Sequence, residues 1–135
     1  MAALGADSIR VYGDLGAEFN EHPVLTATTI YKGSAVGSSG GYARACVAQD
    51  LFLGFAEEQV INAGASGAKN VTVKSKGLIQ AAVTGASVAS INLIVYMSSD
   101  NDFTLTSTTN TKIGVVHRFV TGTTCIIRFD ASVLI

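Results

Sequence analysis

From Pro23 onward, apolar and polar positions alternate with a period of two, broken at short intervals by turn residues. Thr29 to Val36 sets Ile30, Lys32, Ser34 and Val36 on one face and Tyr31, Gly33 and Ala35 on the other. Leu51, Leu53 and Phe55 share a face ahead of Glu57. Val71 and Val73 alternate with Thr72 and Lys74, and Ile79, Ala81 and Val83 follow. Phe103 and Leu105 alternate with Asp102, Thr104 and Thr106. Ile113, Val115, His117 and Phe119 share a face, as do Cys125, Ile127 and Phe129. The segments between, GSSGG, NAGASGAKN, SSDND, TSTTNT and TGTT, carry the Gly, Ser, Asn and Asp of turns. Many short strands at close spacing predict an all-β sandwich or barrel. The pattern places Ile30, Val36, Leu53, Phe55, Val73, Ile79, Val83, Val95, Phe103, Leu105, Ile113, Val115, Ile127 and Phe129 in the core.

Two stretches depart from this alternation. Residues 1–23 mix small, polar and acidic residues with isolated apolar ones, Ile9, Val11, Tyr12, Leu15 and Phe19. They read as an extended N-terminal arm in which Ile9 to Tyr12 pairs briefly as a strand, and Pro23 marks the boundary with a single domain over 24–135. Thr84 to Asn92 (TGASVASIN) is too small and mixed for a core strand. It predicts one short helical turn, capped by Thr84 or Ser87 and ended by Asn92, because Asn tolerates the left-handed conformation.

Composition changes the picture in one respect. The 135 residues suffice for a domain with a real core, but only 14% are charged, against about 25% in ordinary globular chains. The hydrophobic fraction is 48% and the mean hydropathy +0.40. A small domain with so few charges covers its surface most readily by burying part of it against other subunits. The formal net charge of -1 provides no basic field for nucleic acid. The longest apolar runs, Leu51–Ala56 and Ile91–Met97, fall far short of the ~20 residues that span a bilayer. The opening MAALGADSIR lacks a basic start and a sustained apolar run, so no secretory signal is expected. Cys46 and Cys125 stand in apolar, strand-like contexts without a CxxC pattern and read as buried thiols.

The candidates for chemistry each meet a plainer reading. GSSGG (Gly37 to Gly41) lacks the Lys-Ser/Thr and the helix start of a phosphate-binding loop and runs into YARAC, so it reads as a hairpin or corner. Glu57 and Glu58 are adjacent on a strand and point to opposite faces. Asp100 and Asp102 fit a turn better than a calcium loop, which needs further oxygens including a bidentate Glu. His117, on the apolar strand face, and His22, beside Pro23, have no HExxH and no nearby Cys. There is no GxSxG elbow, and Tyr31-Lys32 with Tyr42 make no stacking platform. No catalytic, cofactor-binding or metal-binding residue is predicted, and the expectation is a non-enzymatic structural role.

The order of elements resembles a family. Gly33-Ser34-Ala35-Val36 followed by Gly41-Tyr42-Ala43, Phe52 to Glu57, Val71-Thr72-Val73 followed by Gly77, Val95-Tyr96, Asp102 to Thr106, Lys112 to Val116 and Phe129-Asp130-Ala131 are similar, in order and spacing, to the small capsid cement (head decoration) proteins of tailed bacteriophages. The resemblance covers Thr28 to Ala131. It departs at Asn92, where the family tends to have glycine, and in the arm, which matches poorly. It implies a compact β-barrel or β-tulip domain with one short helix. It also implies a protein made in the bacterial host cytoplasm that binds the outer face of an assembled phage head. There it would bridge neighbouring major capsid proteins, as a homotrimer at threefold or quasi-threefold positions, with no cofactor, nucleic acid or membrane as partner. On that reading Ile9, Val11, Tyr12, Leu15 and Phe19 anchor the arm to the capsid or to a neighbouring subunit.

Two other classes compete. A virion-surface glycan- or host-binding module needs exposed aromatic rings; Trp is absent, and Tyr31, Tyr42 and Tyr96 are the candidates, with Tyr96 expected to be buried. A small β-barrel enzyme needs polar groups converging in a deep pocket.

Overall fold

The computed structural model describes residues 18–131. Its strands are β1 (Phe19–Pro23), β2 (Thr28–Ile30), β3 (Ala35–Ser39), β4 (Tyr42–Ala45), β5 (Leu51–Ala56), β6 (Val60–Asn62), β7 (Asn70–Lys74), β8 (Lys76–Thr84), β9 (Ile94–Met97), β10 (Phe103–Thr104), β11 (Thr111–Thr121) and β12 (Thr124–Asp130). A 3-10 turn at Val88–Ser90 separates β8 from β9. The fold is all-β, as the alternation predicts, and has two halves. The C-terminal half is a closed five-stranded barrel in the order β10-β8-β12-β11-β9. Closure pairs every strand on both sides and leaves the barrel without a free edge. The N-terminal half is a five-stranded sheet, β1-β7-β5-β3-β4, with a two-stranded ribbon, β2-β6. That sheet curls until its ends nearly meet: Val24, just past β1, bridges to Ala43 on β4, and the Leu25 N–H donates to the Ala43 carbonyl at 3.0 Å. Glu18 and β1, the described part of the predicted arm, belong to this sheet; Phe19 to Pro23 pair with β7 from Lys74 to Asn70. Pro23, which has no N–H, takes the end of this edge strand.

Two cores follow from this layout. One joins the barrel interior to the sheet and is dominated by four phenylalanines, Phe52, Phe55, Phe103 and Phe129. Phe55 meets Phe129 edge-on at 4.8 Å and Phe52 at 5.5 Å between ring centroids, the geometry that ring quadrupoles favour. The other core lies under the ribbon and packs Val24, Ile30, Val36, Ala43, Ala56, Val60, Val71 and Val73. Ten of the fourteen predicted core residues are buried: Ile30, Val36, Phe55, Val73, Val83, Val95, Phe103, Ile113, Ile127 and Phe129. Leu53, Ile79 and Leu105 are half-buried against these clusters.

The remaining differences come from breaks in alternation. The predicted run Thr29 to Val36 is two strands, because Tyr31 to Ser34 forms a tight turn in which the Ser34 N–H donates to the Tyr31 carbonyl at 3.1 Å. In β5 the register slips between Val36–Gly54 and Gly37–Phe52, so Leu53 is an extra residue. This bulge puts Phe52 and Phe55 on the same inner face, and Leu51, expected inward, is 74% exposed. In β11 one slip at Ile113 sends Val116, in place of the predicted Val115, into the core. A second slip at His117 turns that residue outward with Arg118, so the histidine is not on the apolar face. The GSSGG corner is a hairpin, as expected; Ser39 pairs with Tyr42, and Gly40 and Gly41 form the two-residue loop with φ of +60° and +92°. The ribbon strand β6 was not foreseen. Its Asn62 is buried, and its amide Nδ2 reaches the carbonyl oxygens of Val24, Leu25 and Ala65 at 3.0–3.2 Å, ordering a segment that reads in sequence only as a turn.

Candidate interaction surface

The segment after β8 places apolar side chains on the surface and fixes the backbone beneath them. Ser87 caps the 3-10 turn: its hydroxyl accepts the Ala89 N–H at 3.3 Å, while the Ser87 N–H donates to the Ser90 hydroxyl at 3.0 Å. Asn92 takes the left-handed conformation at φ +65°, as its residue type predicts. The Asn92 N–H donates to the Val116 carbonyl, and the Val116 N–H to the Leu93 carbonyl, both at 2.9 Å, so β11 clamps the segment. Above this scaffold Val88 is 75%, Ile91 54% and Leu93 48% exposed, and Ile94 continues the patch onto β9. The patch borders an open cleft of about 390 Å³ lined by Leu93, Ile94, Tyr96 and Leu105. Tyr96 is half-buried there, not buried as expected, because on β9 it alternates outward between Val95 and Met97. Three exposed apolar side chains within six residues of a hydrogen-bonded turn, with Ile94 next to them on β9, concentrate apolar surface in one short segment.

A polar hub lies elsewhere, where the β4–β5 connection meets β11. The Asp50 carboxylate is buried and accepts hydrogen bonds from Arg44 Nε at 2.9 Å, Arg44 Nη2 at 2.8 Å and the Val47 N–H at 3.1 Å. The Thr111 hydroxyl donates to the Asp50 carbonyl at 2.7 Å, tying this connection to the barrel. Gly37 makes the room: a Cβ there would lie 2.7 Å from the Asp50 Cβ and 2.8 Å from Cys46 Sγ. Burial pushes the Asp50 carboxyl up. Hydrogen bonds from Arg44 and Val47, with the guanidinium charge, more than reverse this and hold it below the usual carboxylate range. Burial, reinforced by the Asp50 charge, pushes the Cys46 thiol up to about 12, and burial also raises Cys125. Both cysteines are buried and free, and their thiols are protonated and unreactive at neutral pH. The adjoining cleft, about 410 Å³ and lined by Leu51, Phe52, Leu53, Thr111 and Lys112, is open, and the Asp50 carboxylate is already committed to Arg44.

A third open cleft, about 390 Å³, gathers Glu18, Lys76, His117, Arg128 and Asp130 on the outside of the barrel. The second bulge in β11 brings His117 here, a placement that strict alternation in the sequence conceals. Glu18 is already engaged with the Lys74 ammonium at 3.3 Å. Among the described residues, no buried side-chain polar atom lacks a partner.

The other residues singled out from sequence fall on separate elements. Glu57 and Glu58 are exposed, and Glu58 accepts the Thr72 N–H at 3.3 Å. Asp100 accepts the Ser34 hydroxyl at 3.3 Å and Asp102 that of Ser99 at 3.0 Å, as turn carboxylates do. His22 is half-buried on β1, and burial lowers its pKa. Tyr31 lies in the β2–β3 turn and Tyr42 opens β4, apart in the chain from Tyr96 on the barrel. Of the arm residues, Phe19 is exposed on β1 with the Lys74 ammonium 5.5 Å from its ring centroid. Ile9, Val11, Tyr12 and Leu15, with the strand predicted at Ile9 to Tyr12, lie outside the described residues. Val88, Ile91 and Leu93 escaped the sequence reading, although the apolar residues in a turn-like stretch were the available signal. No protein-family model matches the chain, and no curated protein matches it.

Proposed function

We propose that this protein is a capsid cement protein, binding the outer face of an assembled phage head and bridging neighbouring major capsid proteins without catalysing a reaction. The observation that carries the reading is the exposed apolar turn Val88, Ile91 and Leu93, held rigid by β11 in a chain with few charges. A preordered backbone loses little further conformational entropy on binding, so the apolar area it presents converts efficiently into affinity. The order of elements over Thr28 to Ala131, with its similarity to cement proteins, supports the same assignment. So does the architecture of the C-terminal half: a closed barrel has no edge for uncontrolled strand pairing, which leaves the edges to the N-terminal sheet. As a homotrimer at threefold or quasi-threefold positions it would engage the shell through three linked contacts, so modest single affinities add to durable attachment.

The test is sedimentation with expanded, DNA-free heads. The wild-type chain is expected to pellet with them at a ratio near that of the major capsid protein. Ile91→Asp with Leu93→Asp is expected to stay largely in the supernatant while keeping the wild-type melting temperature. A wild-type chain that does not pellet, or a variant that pellets equally well, sinks the reading; glycan-array binding in its place would favour a host-recognition module.

A further inference from the structure

We propose that two adjoining faces of this chain form a head-to-tail contact between copies, the arginine-bearing wall of the barrel in one copy receiving the carboxylate face of β1 and β7 in the next. The inference deepens the assembly part of the proposed function and rests on that part alone.

The wall follows from register. Ile94, Val115, Arg128 and Leu78 lie opposite one another across β9, β11, β12 and β8, and Arg118, Ile126 and Gln80 form the next row. All point outward, because their chain neighbours Val95, Val116, Ile127 and Phe129 fill the barrel. Leu78 is 56% exposed, and both arginines are exposed. Arg118 and Arg128 are diagonal neighbours on paired strands, and among the described residues neither has an ion-pair partner within 4.0 Å. Arg128 shares its cleft with the carboxylates of Glu18 and Asp130, Arg118 stands outside that cleft, and the flanking Leu78, Val115 and Ile126 give a further counter-charge a partly desolvated setting.

The complement is on the same chain. On the outer face of β1 and β7, Phe19 pairs with Lys74 and Glu21 with Thr72, and Glu58 reaches the Thr72 N–H. Phe19 is exposed, and Lys74 is occupied by Glu18. Glu21 bonds the Asn70 amide at 2.8 Å, and no cation among the described residues pairs with Glu21, Glu57 or Glu58. The Phe19 ring, beside the Lys74 ammonium that Glu18 neutralises and beside the carboxylates of Glu21 and Glu58, thus matches apolar side chains flanked by guanidiniums. Lys32 and Lys69, on the same half, lie outside the β1–β7 pairing that carries this face. The cleft lined by Glu18, Lys76, Leu78, His117, Arg128 and Asp130 joins the two faces along one border. Two unlike faces meeting at a border are what a subunit in a closed ring needs, with the border toward the axis.

The experiment is analytical ultracentrifugation of the full chain, without capsids, from micromolar to millimolar concentration. The wild type is expected to form a discrete oligomer that salt weakens. Arg118→Glu with Arg128→Glu, and separately Glu21→Arg with Glu58→Arg, should each raise the dissociation constant at least about 100-fold. Far-UV circular dichroism and melting should stay unchanged, and joining all four substitutions in one chain should restore the oligomer. If a reversal pair fails to fold, Arg118→Ser with Arg128→Ser replaces it and should also dissociate the oligomer. A wild type that stays monomeric throughout, reversals without effect, or a fourfold variant that stays dissociated overturns the contact. A monomer that still pellets with capsids would sink this inference and leave the cement reading standing; an oligomer that ignores capsids would do the reverse.

Discussion

Phe55 concentrates the packing of the first core in a single side chain. Its ring meets those of Phe129, Phe52 and Phe103 at centroid distances of 4.8, 5.5 and 6.1 Å. Phe55→Ala removes all three ring pairs where barrel and sheet meet, and the cavity should destabilise the fold by about 3–5 kcal/mol. Urea denaturation measures it, and a loss below about 1 kcal/mol would mean that the site collapses around the gap. Asp50 makes a different kind of contribution. Its folded-state pKa lies below its unfolded value, so its stabilisation is complete above about pH 4 and disappears as the pH falls through the folded value. The urea midpoint should therefore drop as acid is added below about pH 4, and Asp50→Asn should start lower and fall less steeply. Phe55 was legible from alternation alone. The Asp50–Arg44 pair was not, because its partners lie six residues apart across a turn and the space it fills is left by Gly37 from another strand.

Strands were legible because half-buried β-structure writes a period of two into the sequence. What alternation could not provide was phase. A bulge inserts one residue and inverts every side chain beyond it, so alternation that places Phe55 correctly in β5 puts Leu51 inward where Phe52 belongs. A signal was present, since a glycine inside an apolar strand run marks a bulge, and Gly54 and Gly114 both stand beside one. The His117 bulge has no such marker. Gly54 carries the sharper prediction. It has φ +133°, and a Cβ there would run into the Lys74 carbonyl oxygen of the neighbouring strand. Gly54→Ala should lose at least about 1–3 kcal/mol from backbone strain alone. It should also loosen the β5–β7 pairing that joins β1 and β7 to the rest of the sheet. Hydrogen exchange would locate the effect: faster exchange at Phe55 to Val73 with the barrel unchanged is expected, and uniform exchange would show that the bulge is not the local constraint.

At the scale of the molecule, the described chain enters the fold through β1 of the curled sheet. β1 is the edge of its sheet, held by β7 on one side only, and Glu18 extends the pairing through its carbonyl, which accepts the Ser75 N–H at 2.7 Å. The residues before Glu18 include Ile9, Val11, Tyr12 and Leu15 in otherwise small and polar company. A chain attached at a sheet edge can reach a neighbour at high effective concentration, since its root is already fixed on the shell. Under the cement reading these four side chains supply attachment. Removing residues 1–17 leaves Glu18, β1 and every residue named in the two cores in the chain. The truncated chain should fall short of the wild type in capsid occupancy, and its melting temperature, measured alongside, separates lost attachment from lost folding. The deficit should widen as the protein is diluted, because linked attachments multiply one another's affinity and the truncated chain has one fewer. Equal occupancy at every dilution would show that attachment runs entirely through the domain, leaving the exposed turn at Val88 to Leu93 as its main support.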